Sequence, residues 1–220
     1  MLEKSDNMKI GKRTIGKGSS YFIIEEGVAN LGDPSKAKQV IDNAATSGAD
    51  AIEFQVFRAD DFIVKTHRSY AFLSDIQLTE KDWKNLISHT HRKKMQFIAT
   101  ALSPSMVAFL SKSGCDAFNI NATDINNPDV IDAVSKSGLP FFLSIPLATE
   151  AEIFWAVNRI KENGSREFGI LHGQHTMFSN QGGIPIRETS LGLILKLKKK
   201  FRVPVGFIDH TPNIWMPSIA

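Results

Sequence analysis

A short motif recurs along this chain and restricts the folds open to it. Ser47-Gly48-Ala49-Asp50-Ala51 returns as Ser113-Gly114-Cys115-Asp116-Ala117 and, abbreviated, as Ser137-Gly138-Leu139-Pro140. Each copy closes a helical pattern and opens a short apolar run. A glycine just past a helix end supplies the left-handed turn that stops it. The runs that follow, Ala51-Ile52-Glu53-Phe54-Gln55, Ala117-Phe118-Asn119-Ile120 and Phe141-Phe142-Leu143-Ser144, read as strands buried on both faces. Strands alternating with helices of about 10–15 residues imply parallel pairing through right-handed crossovers. Two architectures remain, a β/α barrel and an open doubly wound sheet.

The 220 residues suffice for one domain with a sizeable core and are short for two α/β domains. No apolar run approaches the roughly 18–20 residues that span a bilayer. The polar start, Met1 to Asn7, lacks the apolar centre of a signal peptide, so a cytoplasmic protein is expected. The single cysteine, Cys115, excludes an internal disulfide and reads as a small buried hydrophobe. Two basic runs, His91-Arg92-Lys93-Lys94 and Lys198-Lys199-Lys200, fall in last helical turns, where cations complement the helix dipole. No aromatic residues interleave them for stacking on bases, and neither nucleic acid nor membrane is expected as a partner.

Residues 8–14 alternate around Gly11 and read as a small hairpin, so 1–20 form an N-terminal extension and 21–220 the main fold. The first core strand is Tyr21 to Glu26, and Asp33 with Pro34 starts the helix after it. The second strand ends at Gln55-Val56-Phe57, and the connection from Arg58 to Leu78 shows no period of its own, as in a binding loop. Thr79 with Asp82 marks a helix start, Met95 to Thr100 is the third strand, and 117–121 the fourth. The fifth is 141–145, Thr149 with Glu152 is a capping box, the sixth is Phe168 to His172 and the seventh Val203 to His210.

Polar residues collect at the C-terminal strand ends: Glu25, Gln55, Thr100, Asp124 just beyond the fourth strand, Ser144, His172 and Asp209-His210. In α/β barrels chemistry is assembled at this face from several strands. His172, His175, Asp209 and His210 could converge there and hold a metal. The alternative is that His172 is satisfied by backbone inside the core, Asp209 points away by alternation, and His175 lies in a solvent loop.

Taken in order, Met8-Lys9-Ile10-Gly11, Ile24-Glu25-Glu26-Gly27, Gly48-Ala49-Asp50-Ala51, Phe54-Gln55, Phe97-Ile98-Ala99-Thr100, Leu143-Ser144, Leu171-His172 and Gly206-Phe207-Ile208-Asp209-His210-Thr211 resemble the sialic acid synthase family. That family condenses phosphoenolpyruvate with an N-acylated amino sugar to make nonulosonic acids for surface carbohydrates. The resemblance implies a TIM-type (β/α)8 barrel, here truncated to about seven strands. It also implies a divalent metal, Mn²⁺ or Mg²⁺, with His210 as one of two histidine ligands and Glu25 as the essential carboxylate. Gln55, Thr100 and Ser144 match positions that line the phosphoenolpyruvate pocket, and His172, His175 and Asp209 are added as substrate-facing candidates.

The departures bear on activity. Where the family places phosphate-binding lysines on the second and fourth strands, this chain has Glu53 and Asn119. Phosphate calls for charge-assisted donors, so a catalytically impaired homologue that binds a sugar or a partner subunit is the alternative. The family's last strand, second metal histidine and antifreeze-like domain would fall beyond Ala220. The seam between the seventh and first strands is therefore expected to be apolar and either covered by another chain or poorly ordered, and a homo-oligomer is expected.

Overall fold

The computed structural model describes residues 7–16, 18, 20–174, 184–211 and 214–220. Its strands are β1 (Met8–Ile10), β2 (Arg13–Ile15), β3 (Ile23–Glu26), β4 (Ala51–Val56), β5 (Gln96–Ala101), β6 (Ala117–Ile120), β7 (Phe141–Ser144), β8 (Phe168–Gly173) and β9 (Val205–Ile208). The helices are α1 (Pro34–Thr46), α2 (Ala59–Phe62), α3 (Tyr70–Ile76), α4 (Glu80–Arg92), α5 (Pro104–Ser113), α6 (Pro128–Ser135), α7 (Glu150–Glu162), α8 (Gly192–Phe201) and α9 (Met216–Ile219).

Local chemistry sets the helix starts. The Asp33 carboxylate accepts from the Ser35 and Lys36 amides while Pro34 takes the first helical position. Thr79 with Asp82, and Thr149 with Glu152, form reciprocal capping boxes at α4 and α7. At the recurring motif Gly48, Gly114 and Gly138 lie at φ of +82°, +93° and +79°, the left-handed region the turn requires. Both basic runs close helices: His89, His91 and Arg92 occupy the last turn of α4, and Lys198, Lys199 and Lys200 that of α8. Lys93 pairs with Asp42 at 2.8 Å, and Lys200 pairs with Glu150.

β3 to β9 form one sheet in chain order, and every neighbouring pair is parallel. A doubly wound sheet reverses direction of growth at a switch point. This one never does; it curls as a seven-stranded incomplete barrel, and β3 and β9 do not pair with each other.

Two apolar layers follow from strand alternation. Ile52, Phe54 and Val56 face the helices, where Phe54 stacks on Phe97 at 5.5 Å and meets the Trp83 edge at 5.7 Å. Ala51, Ile98, Ala117, Phe142 and Leu171 face the barrel interior and meet Met8, Ile10 and Ile15. The β1–β2 hairpin is therefore an integral plug of the barrel floor, where the sequence suggested only an appendage ahead of the main fold.

The connection from Arg58 to Leu78 differs from expectation, because α2 and α3 lie within it. Helices of 4 and 7 residues are too short to show a 3.6 period. They are tied together by tertiary contacts: the Tyr70 hydroxyl donates to Asp60 Oδ1 at 2.6 Å, and the Ala59 amide to Gln77 Oε1 at 2.9 Å. Among the described residues no helix is long and apolar enough to cross a membrane.

Candidate active site

Alternation decides which polar side chains reach the mouth. Ala51 faces inward, so Glu53 and Gln55 do as well. The same parity from Ile23, Ile98, Ala117 and Phe142 turns Glu25, Thr100, Asn119 and Ser144 inward. Register places Glu25 beside Glu53 and Gln55 beside Thr100. A polar layer thus sits directly above the apolar plug.

Glu53 is its centre, only 3% exposed. Its Oε1 accepts from Thr100 Oγ1 at 2.6 Å and from Asn119 Nδ2 at 2.8 Å. Ser144 Oγ donates to Asn119 Oδ1 at 2.9 Å and fixes which way that amide points. Burial, followed by the charge of Glu25, pushes the Glu53 carboxyl up to about 7, against the pull of its two hydrogen bonds. Glu25 itself is exposed on the open inner face, and Gln55 Nε2 donates to its Oε1 at 3.1 Å.

The sequence marked Glu25 as an acid at the end of a buried strand, but the buried acid at that end is Glu26. Its carboxylate accepts from the Asn30 amide at 2.6 Å, the Val28 amide at 3.1 Å and Asn30 Nδ2, which shapes the loop into α1. Asp124 serves locally too, accepting from Asn127 Nδ2 at 2.9 Å at the start of α6.

The other candidates do not gather with this layer. Leu171 points inward, so His172 points into the helix layer, where its Nε2–H faces the Thr189 carbonyl at 3.2 Å and its ring lies 6.3 Å from Phe207. Burial holds that imidazole below its usual value. Asp209 Oδ1 accepts from the Thr211 amide at 2.8 Å within its own turn. His210 Nδ1 donates to the Gln174 carbonyl at 2.7 Å, and its own carbonyl accepts from the Ile184 amide. His175 lies outside the described residues.

A divalent ion needs several converging donors. Among the described residues no three His, Cys, Asp or Glu side chains form such a group.

Sequence reasoning named four members of the polar layer, Glu25, Gln55, Thr100 and Ser144, and treated Glu53 and Asn119 only as lost lysines. Counting the pleat from Ala51 and Ala117 was the signal that joins all six.

The NeuB family model matches residues 40–220. An uncharacterized protein of Methanocaldococcus jannaschii is 33% identical over 98% of this chain and 63% of its own length. The N,N'-diacetyllegionaminic acid synthase of Campylobacter jejuni is 30% identical over 89% of this chain and 62% of its own. The chain thus spans a little over three fifths of the length of these two relatives. The crystal structure of an N-acetylneuraminic acid synthetase from Leptospira borgpetersenii superposes with a TM-score of 0.88 at 27% identity, covering 100% of this chain and 75% of that one. A truncated 3-deoxy-D-arabino-heptulosonate 7-phosphate synthase from Thermotoga maritima, 14% identical, shares the fold with a TM-score of 0.71. By the extent of the family match and the barrel that carries it, this chain belongs to the NeuB family.

Proposed function

We propose that this chain is the barrel part of a nonulosonic-acid-synthase-type protein of surface-carbohydrate biosynthesis. Its mouth takes an N-acylated amino sugar, and phosphoenolpyruvate is held weakly. The observation that carries the reading is the inward polar layer, in which Glu25, Gln55, Thr100 and Ser144 share one face above an apolar floor. Sugar hydroxyls and an N-acyl amide are matched by side chains of this kind, which both donate and accept.

In a condensation of this class, the enol carbon of phosphoenolpyruvate attacks the open-chain aldehyde of the sugar. Water adds to the neighbouring carbon, and inorganic phosphate leaves. Glu25, exposed at the mouth and steadied by Gln55, is the carboxylate placed to orient that water and accept its proton. The phosphate is the difficulty. Where its cations are expected this chain has Glu53 and Asn119, and those two are hydrogen-bonded to each other. This favours the second reading, a homologue that retains the sugar and has lost efficient condensation.

The test is to incubate the protein with phosphoenolpyruvate, N-acetylmannosamine and Mn²⁺, and to follow phosphate release and labelled nonulosonic acid. Calorimetric titration of the sugar accompanies it. Sugar binding with little or no product is expected. Rapid stoichiometric product would refute impaired condensation, and absence of sugar binding would refute the assignment of the mouth.

A further inference from the structure

Among the described residues, Glu53 is bonded on one side only. Thr100 and Asn119 both donate to Oε1, and no described donor reaches Oε2. The side chain is 3% exposed, faces the mouth, and stands beside Glu25 by register. On the strands packed against it, β3 presents Glu25, β5 Thr100 and β6 Asn119; the Cys115 thiol ahead of β6 is kept neutral by burial. Among the described residues no cation is one of the groups that act on it.

Two carboxylates side by side without a cation do not both ionise readily, and the more buried one keeps the proton. A protonated carboxyl is a hydrogen-bond donor as well as an acceptor. The donors spent on Oε1 fix the rotamer, and Oε2 is left for a group that enters from the mouth. A core that needed only packing would place no acid here.

We propose that Glu53 is a substrate-facing specificity residue, a carboxyl whose Oε2 side hydrogen-bonds a hydroxyl or N-acyl group of an uncharged sugar and excludes phosphate from the floor of the mouth. This rests on the reading of the mouth as a sugar site. It goes further in giving the residue that selects the ligand's charge. A phosphate seated here would face two acids; a sugar hydroxyl can donate to one and accept from the other.

The experiment has three arms. In protein labelled with ¹³C at the glutamate carboxyl carbon, one resonance should remain in the protonated range at about pH 6, where ordinary glutamates are ionised, and should be absent from Glu53→Gln. Inorganic phosphate should bind Glu53→Lys about tenfold or more tighter than the unmodified protein, the worth of one charge-assisted hydrogen bond. N-acetylmannosamine should bind the unmodified protein less well as pH rises from about 6 to 8, and Glu53→Gln should bind it with that dependence removed.

An ionised Glu53 resonance at the lower pH overturns the proposal, as does unchanged phosphate affinity in Glu53→Lys or an unaltered pH dependence in Glu53→Gln. If Glu53→Lys does not fold, the resonance and the Glu53→Gln titration decide. If the unmodified protein binds no sugar while the resonance and phosphate arms come out as expected, the function proposed above fails and the exclusion of phosphate by Glu53 stands.

Discussion

Replacing Glu53 with Gln should stabilise this protein by an amount that grows as pH rises above 4.5 and is greatest above about 7. The amide is nearly isosteric, its oxygen can accept from Thr100 and Asn119 as Glu53 Oε1 does, and its nitrogen can donate toward Glu25. The carboxyl is raised from 4.5 to about 7 by burial and by Glu25. The folded state therefore holds a proton that the unfolded chain releases on passing pH 4.5. The stabilisation linked to that proton is fully present below 4.5, declines as pH rises toward 7, and is gone above it. A rise of this size corresponds to about 3 kcal/mol for a fully buried group.

Urea denaturation of both proteins between about pH 4.5 and 8.5 measures it. The two stabilities should nearly coincide at the acid end and separate by about 3 kcal/mol at the alkaline end, or roughly 6–12 °C in Tm for a chain this long. The comparison must be a difference curve, because His172 acts with the opposite sign. Burial depresses its pKa, so its contribution is present above 6.5 and is lost as pH falls. A difference independent of pH would refute the reasoning, since Glu53 would then titrate alike in both states. A less stable variant at the alkaline end would show that the site prefers a carboxylate.

Three further outcomes are expected. Phe54→Ala removes the ring between Trp83 and Phe97 and should cost roughly 3–5 kcal/mol in urea denaturation; a loss below about 1 kcal/mol would mean the aromatic cluster is loosely packed. His172→Gln should reduce the loss of stability below about pH 6.5, and an unchanged acid limb would place the responsible group elsewhere. After loading with Mn²⁺ and desalting, the chain should hold well below one equivalent by elemental analysis, and His210→Ala should change this little; near-stoichiometric metal lost in that variant would show that donors outside the described set complete a site.

The fold was legible because its signals are local and repeated. The Ser-Gly punctuation, the Asp33 cap and both capping boxes each act within a few residues, and each was found where it was read. The short helices α2 and α3 were not, because one or two turns held by Tyr70 to Asp60 and Ala59 to Gln77 depend on partners distant in sequence. The hairpin was found as a hairpin, but that it plugs the barrel depends on Met8 and Ile10 meeting Leu171 and Phe142 across most of the chain. Family and barrel were readable together from the ordered strand motifs, and both hold.

The site was legible by chain position and less so by direction. Glu25 and Glu26 are adjacent and chemically identical, yet parity sends one to the open inner face and the other into the loop toward α1. His172 satisfies every positional criterion for a strand-end residue, and the same parity turns it toward the helices. The consequence reaches the chemistry. A barrel floor sealed by Met8, Ile10 and Ile15 excludes water from below, so a carboxyl in the layer above gains stability by keeping its proton rather than by hydration. Where that layer carries lysines, the same low-dielectric setting strengthens the hold on phosphate. On the reading proposed above, exchange of residues at inward positions such as Glu53 and Asn119 changes the charge presented to a ligand while strand order, register and plug stay as they are.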